Sequence, residues 1–333
     1  QNSYFPYQEF YYLFSQHFLA HIEIDWIRVT QGATVMFKDA TDYDKTLTPI
    51  GVIDKEIAPT TITTNPANAD EDNDGLNDGV EVAMYNDGAR PDKKDIFVEV
   101  DWMGDNSHWD WGWAPVLGVS WGYWYYPDPA HKMSEDAKKK VKTAFAKHGI
   151  ELHIVESEEL EHDDSVYFVN DADRDDDFYD KYKGHDLLDL DTRIVRHFNP
   201  NRFHIFHYAL IGHRIEDGPA ALSEISGDDF VLGDKRIREI MTAAALVSLL
   251  GIPWDIAVAV VFRDYATLQA GVFMHELGHH FSLNRDKEGY KGFNPGGPVT
   301  CMNYFYAPST VDYHSGEWNT VLAHLGDFVY ADD

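Results

Sequence analysis

The stretch Gly271-Val272-Phe273-Met274-His275-Glu276-Leu277-Gly278-His279-His280-Phe281 sets the frame for the rest of the chain. Ala270, Phe273, Met274, Leu277 and Phe281 recur at helical spacing and predict a helix that buries one apolar face. On such a helix His275 and His279 lie one turn apart on the same side, so both imidazoles reach one metal ion, and the ligand type and spacing suit zinc. Glu276 falls beside that side. A carboxylate there can take a proton from an activated water instead of binding the metal.

Downstream of this helix the composition turns to Gly, Pro and Asn before reaching Cys301-Met302-Asn303-Tyr304. Upstream, Ile237, Ile240, Met241, Ala244 and Ser248 trace another helix, which Gly251 and Pro253 end. Residues 203–210 and 229–232 predict strands of a central sheet, and so do 150–155 and 95–102, where Ile96, Val98 and Val100 alternate onto one face. Between the last two, Ser134 is placed to cap a helix over 135–148 that Gly149 stops. Residues 104–129, dense in Trp, Tyr, Gly and Pro, predict a self-packed aromatic loop that could also line a cleft or bind carbohydrate. Residues 163–191 are acidic, with Asp171, Asp173, Asp175, Asp176 and Asp177, but lack the glycine and final glutamate of a calcium loop. They are expected to form a solvated loop.

Residues 70–81 do carry that pattern. Asp70, Asp72, Asp74, the Leu76 carbonyl, Asp78 and Glu81 fall at the ligand positions of a twelve-residue calcium loop, and Gly75 sits at its sharp turn. No helical pair of EF-hand length flanks it, so an isolated calcium loop is expected. Ahead of it, alternation over 21–29 predicts a small β-rich N-terminal region over 1–68, closed by a Thr-, Pro- and Asn-rich linker over 60–68. Three parts follow: residues 1–68, a calcium-loop segment over 69–92, and an α/β domain over 93–333.

Composition narrows the function classes. The formal charge is −30, from 57 acidic against 27 basic residues, which disfavours nucleic acid and anionic membrane as partners and favours bound cations. Hydrophobic residues make up 44%, enough for a globular core, while no uncharged apolar run approaches the ~20 residues of a membrane span. Cys301 is the single cysteine, so no internal disulfide forms, and calcium is the staple expected of an exported chain. The chain opens at Gln1 with no basic-plus-apolar leader, as expected of a trimmed product.

Together these residues resemble the metzincin clan of zinc peptidases, in which an H-E-x-x-H helix is followed by a turn carrying a methionine beneath the metal. More narrowly the chain is similar to bacterial and archaeal secreted zinc metalloproteases with a calcium loop of thrombospondin type 3 or EF-like kind. The likeness runs through 70–81, 94–102, Ser226-Gly227-Asp228-Asp229-Phe230-Val231, Phe273 to His279, Met302-Asn303-Tyr304 and Asp312-Tyr313. It implies an α/β zincin with a twisted mixed sheet, an active-site helix and a methionine turn at Met302. It also implies Tyr304 as a group that holds the oxyanion, and a strand near Phe230 that pairs with an extended peptide.

The clan's glycine and third ligand fall here on Ser282 and Arg285, and a guanidinium cannot bind zinc. The third ligand is therefore expected from Asp286, with Asn284 taking the left-handed turn in the glycine's stead, or else from the more distant His314. The function this predicts is a secreted, calcium-stabilised zinc endopeptidase acting on protein or peptide substrate. The rival is a catalytically impaired zincin scaffold acting as a calcium-dependent surface or carbohydrate-binding protein, for which Ser282, Arg285 and the aromatic loop speak.

Overall fold

In a computed structural model of the chain, the residues described are 30–31, 34–37, 48–49, 64, 68–114, 119–126, 128–168, 178–183, 197–199, 202, 204–249, 264–283, 296–304 and 306–326. The chain divides into two compact units, Gln1–Asp72 with Asn77–Asp92, and Asn73–Leu76 with Lys93–Asp333. The predicted strand over 21–29 and the five aspartates of the acidic stretch, Asp171 to Asp177, lie outside the described residues.

The first unit holds three short strands, β1 (Thr30–Gln31), β2 (Thr34–Phe37) and β3 (Thr48–Pro49), paired antiparallel in that order. It also holds a short helix, α1 (Asp78–Ala83), and a 3-10 turn, Tyr85–Asp87. Arg90 closes that turn by donating to the Tyr85 carbonyl at 2.9 Å with its guanidinium over the Tyr85 ring.

The second unit is an α/β fold built on a five-stranded, mostly parallel sheet. Its strands are β4 (Lys94–Met103), β7 (Ile150–Leu160), β8 (Phe206–Gly212), β9 (Ala221–Ser223) and β10 (Asp229–Gly233), in the spatial order β7-β4-β8-β10-β9. All neighbours run parallel except β9, which pairs antiparallel with β10 and forms one edge. The strand period of two sorts β4 as its sequence predicts: Ile96, Val98 and Val100 join the main core, while Phe97 turns the other way onto His153 and Phe206. Because both faces are covered, β8 is buried along its whole length, as parallel strands between layers are.

Two helices supply most of the covering layer. In α2 (Glu135–Ala146) the Ser134 hydroxyl accepts the Ala137 N–H, and Ala137, Val141, Ala144 and Phe145 are buried. In α4 (Tyr265–His280) the Asp264 carboxylate accepts the Thr267 N–H at 2.7 Å. Between them in sequence, α3 (Asp234–Leu249) leaves the end of β10. The α4 helix is more deeply set than its apolar stripe predicts. Its residues from Leu268 to Gly278 are all buried, so His275 sits inside the domain while His279 is half-buried. Among the described residues no helix is long and apolar enough to cross a membrane.

One expectation fails outright. The aromatic segment is not a loop but a hairpin of β5 (His108–Ala114) and β6 (Val119–Tyr126), with His108 opposite Tyr126 and Trp111 opposite Tyr123. Trp109, Trp111, Tyr123 and Tyr125 recur every second residue, and the strand preference of aromatics outweighs the Gly and Pro content that marked the segment as loop.

Candidate metal centre

His275 and His279 stand on α4 with their Nε2 atoms 3.2 Å apart. The opposite ring nitrogens are both tied to main chain: His275 Nδ1 donates to the Cys301 carbonyl and His279 Nδ1 to the Leu283 carbonyl, each at 2.7 Å. A carbonyl only accepts, so each ring carries its proton on Nδ1 and turns an Nε2 lone pair toward the other histidine. Fixing the far nitrogen in this way is how metal-binding imidazoles are oriented, and both carbonyls come from turns built for the purpose.

The first turn ends α4. Ser282 N donates to His279 O and Leu283 N to Gly278 O, both at 3.1 Å, which is the paired bonding of a helix end closed by a left-handed residue. That residue is Ser282, at φ 60°, with its hydroxyl 2.8 Å from the hydroxyl of Ser226. The position where the clan keeps glycine therefore has the glycine's conformation while carrying a serine. Asn284, expected to supply this turn, lies outside the described residues. Buried Leu283 seals the turn and leaves its carbonyl under His279.

The second turn carries the methionine. Cys301 N donates to Asp312 O at 2.9 Å, and Asn303 N to Thr300 O at 3.2 Å. The buried Thr300 hydroxyl donates to Glu317 at 2.5 Å and accepts the Met302 N–H at 3.2 Å. Met302 then lies directly against the helix at Gly278, since a Cβ there would come within 2.7 Å of its sulfur. Only glycine allows that approach. Tyr304 follows on the open side, 42% exposed, its ring stacked on His275 with centroids 5.1 Å apart.

Glu276 is buried at 7% exposure, and burial alone pushes its carboxyl up to about 8. Its main-chain carbonyl accepts the Ser223 hydroxyl at 3.0 Å, which holds the edge strand β9 alongside the helix. This corrects the predicted docking strand: Phe230 lies in β10, paired on both sides by β8 and β9, so its backbone is occupied. The free edge belongs to Ala221–Ser223, with Leu222 and Ile225 exposed at 38% and 58%. Sequence gave little sign of it, because three residues are too few to show an alternation.

Of the third-ligand candidates, Asp286 lies outside the described residues. His314 caps α5 (Ser315–Ala323): its Nδ1 accepts the Gly316 N–H at 3.2 Å, its main-chain N–H donates to Glu317, and it is exposed. Among the described residues no further His, Cys, Asp or Glu atom joins the His275 and His279 nitrogens within 4.8 Å.

Of the residues of the predicted calcium loop, Asp70, Asp72, Asp78 and Glu81 belong to the first unit and Asp74 and Leu76 to the second. In the first, Asp78 Oδ1 accepts the Glu71 N–H at 2.9 Å, while its buried Oδ2 has no hydrogen-bond partner. Burial raises this carboxyl, and the charges of Glu71 and Asp70 add to the rise. An unpartnered carboxylate oxygen amid like charge suits a cation. Glu81 is fully buried on α1. In the second unit the Asp74 carboxylate accepts Leu76 N at 2.8 Å and Asp95 N at 2.7 Å. Gly75 turns there at φ 97°, so close to Gly326 that a Cβ would meet its Cα at 2.2 Å.

No protein-family model, curated protein or solved structure matches this chain.

Proposed function

We propose that the chain is a secreted, calcium-stabilised zinc endopeptidase of metzincin-like fold. The observation that carries this reading is the pair of acceptor nitrogens on His275 and His279, 3.2 Å apart and each fixed by a backbone carbonyl behind it. Two imidazole nitrogens held at that distance suit ligation of one cation, and about 3.3 Å is the ligand-to-ligand edge of a tetrahedral zinc site with bonds of 2.0–2.1 Å. The methionine packed on Gly278, the mixed sheet and the calcium-loop spacing support the same family likeness.

His275 and His279 would hold the zinc, with Asp286 proposed as third protein ligand. When bound, the ion would polarise the scissile carbonyl and lower the pKa of a water. Burial raises the proton affinity of Glu276; with its carboxyl ionised by the charge of a bound cation, it would take the proton from the attacking water and hand it to the leaving amine. Tyr304, on the open side of His275, donates its hydroxyl proton in a hydrogen bond to the developing oxyanion. The substrate backbone would lie extended along β9, which among the described residues is the outermost strand on its side of the sheet. The carboxylates of residues 70–81 would take calcium, and that charge neutralisation stabilises an otherwise self-repelling loop.

Metal analysis of the purified chain together with casein hydrolysis tests the reading. Zinc that disappears in H275A/H279A, accompanied by hydrolysis in the parent, is the expected result. Calcium without zinc and without hydrolysis would instead favour the calcium-dependent binding protein that Arg285 speaks for. Calcium withdrawal by a chelator too weak to strip zinc should lower the melting temperature, since an occupied site contributes roughly 2.7 kcal/mol at a hundredfold excess over its dissociation constant. A melting curve indifferent to calcium would remove the ion from the proposal.

A further inference from the structure

A second group of imidazoles converges outside the H-E-x-x-H helix, at the carboxyl ends of the parallel strands. His213 directly follows β8, His162 lies two residues past β7, and Asp234 directly follows β10. His131 is tied to the end of β4 by its N–H, which donates to Met103 O at 2.9 Å. Asp128 stands three residues before it. This end of an open α/β sheet is where such folds gather ligands, because strands that diverge there leave side chains from several of them facing one point.

The distances are those of a coordination shell. His213 Nδ1 is 3.2 Å from His131 Nε2 and 3.2 Å from His162 Nε2. Asp128 Oδ2 is 3.1 Å from both His162 Nε2 and His213 Nδ1, and Asp128 Oδ1 is 3.7 Å from His131 Nε2. One atom from each of the four residues falls within a mutual 4.8 Å. A tetrahedral zinc with bonds of 2.0–2.1 Å sets its ligand atoms about 3.3 Å apart, and the measured separations lie on either side of that figure.

Hydrogen bonding alone asks for partners in chains. It does not ask that one nitrogen stand at equal distance from three other ligand atoms.

We propose that Asp128, His131, His162 and His213 form a second zinc site, closed by four protein ligands and therefore structural. The environment behind the ligands fits. His131 Nδ1 donates at 3.0 Å to the fully buried Asp234 carboxylate, which also accepts Arg238 Nε at 2.7 Å and the Tyr265 hydroxyl. That bond fixes the His131 proton on Nδ1 and leaves Nε2 as a donor to metal, in the carboxylate–histidine–metal order common to zinc sites.

Lys235 is the one misplaced group. Its Nζ donates to His213 Nε2 at 3.0 Å, which puts the His213 proton on Nδ1, facing Asp128. Metal entry displaces that proton; Nε2 takes up a proton and the flexible, half-buried lysine swings into solvent.

The site is independent of the peptidase reading, and so is its test. Full chain is equilibrated with zinc, washed free of loose metal and analysed for content. In H275A/H279A, which leaves the second site intact, one zinc per chain is expected to remain, and cobalt exchanged into that variant should give the intense visible absorption of a four-coordinate ion. In H162Q, altered at the partly exposed rim, that equivalent should be lost and the melting temperature should fall. A folded H275A/H279A chain without tightly held zinc, or a six-coordinate cobalt spectrum, overturns the proposal. So does an H162Q chain that keeps as much zinc as its parent. Should H162Q fail to fold, the cobalt spectrum of H275A/H279A still decides. Absence of peptide hydrolysis alongside a retained second zinc would count against the enzyme reading alone.

Discussion

Two histidine clusters in one domain differ in how they are built. On α4 the pair His275 and His279 comes from a single turn of helix and is oriented by backbone carbonyls, with the exposed Tyr304 ring beside it. At the strand ends, three imidazoles and a carboxylate come from three separate segments and are backed by a buried carboxylate. An arrangement with solvent access and a buried base suits chemistry, whereas a set of four protein donors suits support. The comparison teaches that imidazole spacing alone, 3.2 Å in both clusters, does not separate the two uses. The surrounding groups do.

The largest expected effect isolates the chemistry of the first cluster. Glu276→Gln keeps the helix and both histidines but cannot accept the water's proton. Hydrolysis should fall by about 10²–10⁴-fold while zinc content stays at the parental value. Full activity in that variant would leave the first cluster no more catalytic than the second. Next is Tyr304→Phe, which keeps the stack on His275 and removes only the hydroxyl. A loss of about 10²–10³-fold in kcat with little change in KM is expected of an oxyanion donor. An equal rise in KM with unchanged kcat would make Tyr304 a binding residue instead.

Much of the first cluster was legible in the sequence because its information is local. Two histidines four apart on an apolar-periodic segment place themselves, and so do the cap Ser134 and the alternation in β4. The second cluster was not legible. His131, His162 and His213 stand 31 and 51 residues apart, and only the order β7-β4-β8-β10 brings their strand ends together. A sequence signal did exist, in a histidine immediately after the buried apolar strand β8, but it has meaning only once the sheet order is known. The misassigned docking strand has the same origin, since Phe230 looks like any strand residue until β9 is seen to cover it.

A smaller effect tests whether the first cluster depends on its floor. Gly278→Ala would drive a methyl to within 2.7 Å of the Met302 sulfur and 3.0 Å of Tyr313. Overpacking of this kind costs about 1–3 kcal/mol, and the displaced methionine should weaken zinc held by the adjacent histidines. The second cluster, which touches neither residue, should keep its zinc. Parallel loss from both would show that the two sites are one cooperative unit.

The smallest effect concerns Ser282, where the clan's glycine is missing and its geometry is not. A serine at φ 60° carries strain of about 1 kcal/mol that glycine would relieve. Against this, Ser282→Gly loses the 2.8 Å hydrogen bond to Ser226, worth about 0.5–1.5 kcal/mol, and gains freedom in the unfolded chain worth a further 0.4–1 kcal/mol or so. These terms partly cancel, so denaturant unfolding should show a net destabilisation between about zero and about 1.5 kcal/mol. Zinc at His279 should be unaffected, because the Leu283 carbonyl is held by the backbone bond to Gly278 and not by the serine side chain. A loss beyond about 2 kcal/mol would mean that the Ser226–Ser282 contact, rather than the left-handed turn, holds the end of the helix. In that case the first cluster would resemble the second in depending on side chains brought from distant segments.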